Sequence, residues 1–319
     1  MTNAPAIAVA VASHERPARL ARLLDALAEQ TLAPDQFEVV VVHDSVGPES
    51  EQILGGHALP GLHHERVAPS GPALKRNRAW RASRAPLVAF TDDDCRPEPG
   101  WLAALLQAAR AQPGAVVQGL TRPDPDEEHL LREALVRTQS IDPPTPFGQT
   151  CNILYPRALL ERLGGFDETL PAAAGEDTDL LLRARESGAP LIAAPHARVR
   201  HAVTTASLPA TLRAIGRWQH LAFVVRRHSA LRRELTLGVF WKPAHAWLLS
   251  AAASGASRRP RALTLLLLAG WARSTRPNYG PGVRGQLRSI AELPLRALID
   301  AVEVAVAARG ALRYRTPFL

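Results

Sequence analysis

Cysteine is scarce in this chain: its 319 residues include two, Cys95 and Cys151. They form no pair with metal-ligand spacing. That excludes a disulfide-stapled scaffold and a zinc ribbon, and it fits a reducing, cytoplasmic setting. Long apolar runs are also missing. Leu263–Ala272 comes closest, bracketed by Arg261 and Arg273, and falls short of the roughly 18 uninterrupted apolar residues of a spanning helix. Met1–Pro5 has no basic n-region, and the apolar stretch that follows is short and β-like, so no signal peptide is expected. Aromatic residues make up 5%, and the basic residues ride on apolar helical patterns. Both features argue against a nucleic-acid partner. No internal repeat or long low-complexity tract is found.

What is present is a globular composition, 46% hydrophobic, with an uneven charge. Residues 1–205 carry 20 Lys and Arg against 26 Asp and Glu, whereas residues 206–319 carry 18 against 4. The break coincides with the end of the strand-like segments. Two regions with different partners are expected, residues 1–205 and residues 206–319.

The first region alternates strand and helix patterns. Ala6–Ala12 reads as a strand, Pro17–Gln30 as a helix with leucines at 20, 23, 24 and 27, and Phe37–His43 as a strand buried on both faces. Pro72–Ala82 and Trp101–Ala111 read as helices, and Leu87–Thr91 and Ala115–Leu120 as strands. Strands interleaved with helices imply an α/β fold, a mostly parallel sheet flanked by helices, with ligands beyond the carboxyl ends of the strands. Asp44 and Asp92-Asp93-Asp94 fall at such ends. Three adjacent carboxylates repel one another where solvent is partly excluded, and a hard divalent cation, Mg²⁺ or Mn²⁺, is the commonest way to offset this. The acidic run Asp124–Glu128 reads mainly as a helix N-terminal cluster, with part of a loop over the binding edge as the alternative. His57, His63 and His64 read as solvated loop residues, and Lys75 and Arg78 as solvated helix charges. After Ser207 the pattern is helical, with an apolar stripe through Leu208, Leu212, Ile215, Ala222 and Val225. Ser257-Arg258-Arg259-Pro260-Arg261 interrupts it, and a last helix over about 290–308 is expected to end at Gly310 as a C′ glycine.

An ordered series of motifs over about residues 5–205 resembles glycosyltransferase family 2, the inverting transferases with the Rossmann-like GT-A fold. Ser13-His14-Glu15-Arg16-Pro17 stands at the first loop, with Ser13 and Arg16 fitting the family and His14 and Glu15 departing from it. Val42-His43-Asp44-Ser45 stands where the family has Val-Asp-Asp-Gly-Ser. Lys75-Arg76-Asn77-Arg78, the Asp92-Asp93-Asp94 triplet, Gly148–Asn152, Gly164–Glu168 and Gly175-Glu176-Asp177-Thr178-Asp179 follow in order. The resemblance implies a metal-dependent, hexosyltransferase-type enzyme and a nucleotide-sugar donor, a UDP-sugar foremost. It places Ser13, Arg16, Asp44, Arg76, Asp92 and Asp93 at the donor, with Asp44 accepting from the nucleobase. It places Asp94, Asp92 and His201 at the metal, Asp177 as the base that deprotonates the acceptor hydroxyl, and Glu176 orienting the acceptor. Cys151 reads as a small pocket or core thiol, not a nucleophile.

Two alternatives stay open. A sugar nucleotidyltransferase on a similar sheet usually needs a glycine-rich first loop, and 13–17 contains no glycine. A non-enzymatic lipid-surface module would use the basic helices of residues 206–319. The combined expectation is a GT-A catalytic domain over 1–205 and a basic helical extension over 206–319. That extension would either cap the catalytic domain or reach an anionic surface on the inner face of the cytoplasmic membrane, the latter with a lipid-linked or cell-envelope glycan as acceptor.

Overall fold

The computed structural model describes residues 4–170, 173–257, 260–280 and 282–319. Arg258 and Arg259 of the basic interruption lie outside the described residues. The chain forms two compact units: residues up to Leu131 with Val136–Thr204, and Arg132–Leu135 with Thr205–Leu319.

The first unit is built on strands β1 (Ile7–Ser13), β2 (Phe37–His43), β3 (Leu62–Arg66), β4 (Leu87–Asp92), β5 (Cys95–Pro97), β6 (Val116–Pro123), β7 (Ile153–Pro156) and β8 (Leu191–His201). They make one eight-stranded sheet in the order β3-β2-β1-β4-β7-β6-β8-β5. β1 pairs in parallel with β2 and β4, and β2 with β3. β7 runs antiparallel to both β4 and β6, so the sheet is mixed. Every residue of β1 and β2 is buried, as continuous β-branched runs covered on both faces require.

Helices cover both faces. Leu20, Leu23, Leu24 and Leu27 of α1 (Pro17–Ala28) and Trp101, Leu102 and Leu105 of α4 (Trp101–Ala111) pack on one side. On the other side lie α3 (Pro72–Ala82), α5 (Arg157–Leu163) and α6 (Glu176–Glu186), through Ala73, Trp80, Leu160, Leu180 and Leu181. The short helix α2 (Glu49–Gly56) follows β2.

Three local expectations are corrected. His63 and His64 belong to edge strand β3 and not to a loop. The acidic run lies in a 3-10 helix, Pro125–Arg132. There Glu127 is buried, paired with Arg19 and Arg22 and accepting from the Val203 N–H at 2.8 Å. It joins separate segments and does not cap a helix. The third concerns the second unit.

That unit is helical: α7 (Leu208–Ile215), α8 (Leu221–Arg227), α9 (Pro243–Ala256), α10 (Arg261–Thr275), α11 (Val283–Ala291) and α12 (Leu293–Tyr314). α12 runs through Gly310, which is therefore no C′ residue. A Cβ there would come within 2.3 Å of the Gln219 carbonyl oxygen, so the glycine permits a close backbone approach. The helix ends instead at Arg315, in the left-handed region at φ 49°. No helix among the described residues is long and apolar enough to cross a membrane.

Candidate active site

The parallel register aligns the strand ends. Ala12 lies beside Asp92 and Ser13 beside His43, so the residues after β1, β2 and β4 emerge at one edge. Asp44 is buried there. Its Oδ1 accepts from Lys75 Nζ at 2.6 Å and His14 Nδ1 at 2.8 Å, and its Oδ2 from the Ser70 N–H at 2.9 Å. Burial alone would raise its pKa, but these three donors hold the carboxyl below its ordinary range. Lys75 is thus no solvated helix charge. It is buried, and it also donates to the Ser13 carbonyl at 3.0 Å.

The triplet divides its tasks by burial. Asp93 is fully buried, and its Oδ2 accepts from Ser13 Oγ at 2.8 Å and the His14 N–H at 3.0 Å. Burial pushes this carboxyl up to about 6, aided by the neighbouring Asp94 charge and opposed by Arg16, the His14 N–H and Ser13. Asp93 and Ser13 therefore face one another inside the fold and brace the first loop. Arg16 pairs with Asp93 at 2.6 Å and with Asp94. Asp94 also lies 3.6 Å from His201 Nε2. That approach follows from topology: β5 pairs antiparallel with β8, which sets Cys95 against His201. Oxygen or nitrogen atoms of Asp94 and His201, with the Cys95 sulfur, lie within 4.8 Å of one another. Burial raises the Cys95 thiol well above its ordinary value. The carboxylate oxygens and imidazole nitrogen are then the better donors, and that set suits Mn²⁺ or Mg²⁺.

Arg76 links this edge to α6. Its Nη2 donates to Asp92 Oδ1 and its Nη1 to Glu176 Oε1, both at 2.8 Å. Burial disfavours its charge, yet the two carboxylates keep the guanidinium firmly protonated. The chain reaches Glu176 through Gly175 at φ 89°, a left-handed conformation that favours glycine. Asp177 follows. Burial pushes its carboxyl up to about 7, with repulsion from Glu176 adding and Arg76 opposing.

Two contributors escaped the sequence reading. Lys75 is one, and only its burial reveals it. Asn77 is the other: its Nδ2 donates to the Phe166 carbonyl at 2.9 Å and its Oδ1 accepts from the Phe166 N–H at 2.9 Å. It ties the Arg76 helix to the glycine turn, and its place inside a motif was the available signal. Cys151 is a buried thiol 3.7 Å from Thr121 Oγ1, and burial raises its pKa well beyond the ordinary thiol range. It belongs to the core.

The mixed sheet with clustered carboxylates at its strand ends has the GT-A arrangement. Residues 8–164, about half of the chain, match the model of Glycosyl transferase family 2. Validoxylamine A glucosyltransferase of Streptomyces hygroscopicus subsp. limoneus is 28% identical over 285 residues, covering 75% of this chain and 60% of the relative. Pre-mycofactocin glycosyltransferase of Mycobacterium tuberculosis is 33% identical over 180 residues, covering 52% of this chain and 37% of the relative. The chain thus spans less than two thirds of these relatives' length. Among solved structures, the fold is similar to that of mannosyltransferase PcManGT from Pyrobaculum calidifontis in complex with GDP-Man and Mn²⁺. The TM-score is 0.61 at 22% identity, over 98% of this chain and 88% of that one. It is also similar to S. aureus TarS 1-349 in complex with UDP-GlcNAc, with a TM-score of 0.54 at 15% identity, over 97% of this chain and 92% of that one.

Proposed function

We propose that this chain is an inverting, metal-dependent glycosyltransferase that moves a sugar from a nucleotide-sugar, a UDP-sugar foremost, to an acceptor hydroxyl. The observation that carries this reading is the Arg76 bridge. One buried guanidinium joins Asp92 of the strand-end triplet to Glu176, the neighbour of Asp177. Donor-side carboxylates and a candidate base thereby become parts of one polar cluster.

In this reading Asp94, Asp92 and His201 would hold Mg²⁺ or Mn²⁺, which would supply neutralisation of the diphosphate charge. Asp44 accepts from the nucleobase N–H, and Lys75 keeps it ionised for that task. Arg16 and Arg76 add positive potential beside the diphosphate. Asp177 takes the proton from the acceptor hydroxyl as its oxygen attacks the anomeric carbon, opposite the departing diphosphate. Glu176, held by Arg76, orients the acceptor. The test is product detection by mass spectrometry across a set of nucleotide-sugars with Mn²⁺. Asp94→Asn and Asp177→Asn should abolish transfer with the fold intact. Near-wild-type turnover in either variant refutes the assignment.

The second unit supports peripheral attachment to an anionic membrane surface, with a lipid-linked glycan as acceptor. Helix α11 faces its surroundings the unusual way round. Ser289 is buried and donates to the Pro277 carbonyl at 2.8 Å, and a Cβ on Gly285 would meet the Tyr279 carbonyl oxygen at 2.5 Å. Small residues therefore pack inward, while Val283, Leu287 and Ile290, spaced four and three apart, are exposed. Leu265 and Leu266 of α10 are exposed as well. Arg284 and Arg288 flank the apolar stripe, the composition of a helix lying in an anionic interface. Leu287→Glu should reduce co-sedimentation of the full chain with anionic vesicles. Unchanged binding refutes the attachment.

A further inference from the structure

His43, Glu51 and His64 form a second cluster of metal-ligating groups, apart from the Asp94 edge. One ligand atom of each lies within 4.8 Å of the others. His43 Nε2 is 2.9 Å from Glu51 Oε1, and His64 Nδ1 is 3.6 Å from Glu51 Oε2. We propose that these three side chains bind a borderline-soft divalent ion of the Zn²⁺ class. A tetrahedron with bonds of about 2.1 Å has ligand–ligand edges of about 3.4 Å, and the two measured separations fall on either side of that value.

The cluster rests on ordered elements. β2 and β3 pair in parallel with Val41 opposite His64 and His43 opposite Arg66. Side chains alternate along a strand, so His43 and His64 project from one face of neighbouring strands. Glu51 approaches from the first turn of α2. His43 is fully buried, and its Nδ1 has no hydrogen-bond partner. A ring buried with only one nitrogen engaged carries a desolvation cost. Ion binding at Nε2 would replace the hydrogen bond to Glu51 and leave the ring proton on Nδ1. Glu51 and His64 both remain partly open to solvent, which leaves the fourth position to water.

Two nitrogens and one oxygen suit Zn²⁺ and disfavour Mg²⁺, which prefers oxygen. The site is therefore chemically distinct from the carboxylate-rich edge. Its position gives it a structural task, because it clamps α2 and β3 onto the end of β2, one residue before Asp44.

The test uses the full chain, stripped of metal by a chelator and desalted, then titrated with Zn²⁺ alone. Calorimetry and thermal unfolding are followed together, and Co²⁺ is substituted to record the visible absorption of a tetrahedral site. The expected result is a tight Zn²⁺ site whose filling raises Tm. His64→Ala and Glu51→Gln should each weaken it about 100-fold, the upper end of what even outer-shell changes cost, and Asp94→Asn should keep it. The proposal is overturned if wild type binds no Zn²⁺. It is also overturned if His64→Ala and Glu51→Gln bind Zn²⁺ like wild type, or if Asp94→Asn abolishes the site instead.

Discussion

Asp92 and Glu176, far apart in the chain, share a single buried guanidinium, with Arg76 donating to each at 2.8 Å. Neither carboxylate would be tolerated there alone, because two unpaired charges at low exposure repel each other and lose hydration.

Removing Arg76 should therefore cost stability before it costs chemistry. Arg76→Ala is expected to lose about 3–5 kcal/mol, the usual penalty for stranding one side of a buried ion pair. Arg76→Lys should recover part of it, since an ammonium keeps the charge but cannot span both carboxylates as a planar fork does. Denaturant unfolding monitored by circular dichroism measures both.

Transfer should depend on pH through Asp177. Burial raises Asp177 to about 7, so kcat/KM should rise as pH increases through that region, where the base becomes ionised. Stability should move the opposite way. Between about 4 and 7 the folded state holds a proton that the unfolded state has released, so stability falls as pH rises through this window. Asp177→Asn should abolish transfer and flatten that part of the stability profile. Rate and unfolding measurements across pH check the two signs together.

Asp44 should show the reverse linkage. Its carboxyl is held below its ordinary range by Lys75, Ser70 and His14. The stability it contributes is fully present above the unfolded pKa and is lost as pH falls through the depressed folded value. Asp44→Asn should lose that acid-side dependence, and in a donor assay it should raise KM more than it lowers kcat.

The metal edge gives a graded expectation. His201→Ala leaves Asp94 and Asp92 in place, so activity should persist at a raised Mn²⁺ requirement. Asp94→Asn removes the proposed anionic ligand and should abolish activity at any Mn²⁺ concentration. Mn²⁺ titration of the rate separates the two variants.

Gly310→Ala should destabilise the second unit by about 1–3 kcal/mol, the range for overpacking. The added Cβ would meet the Gln219 carbonyl oxygen at 2.3 Å, and neither backbone can move freely. Thermal unfolding reports it.

The alternation of strands and helices is written in residue pattern, because continuous β-branched runs bury best as strands and leucines at helical spacing bury best as helices. Phe37–His43, Pro72–Ala82 and Trp101–Ala111 appear with the bounds their residues imply. The sequence also placed carboxylates at strand ends, since Asp44 and Asp92 terminate apolar runs. Tertiary structure alone decided which of these groups meet. Lys75 reads as a surface charge until α3 packs against β1 and β2 and turns it onto Asp44. Gly310 reads as a helix stop until α12 crosses the backbone at Gln219. His201 meets Asp94 only because β5 pairs with β8. Residue type and spacing record how a segment folds locally. Contacts between segments depend on register and packing, and no single segment encodes those.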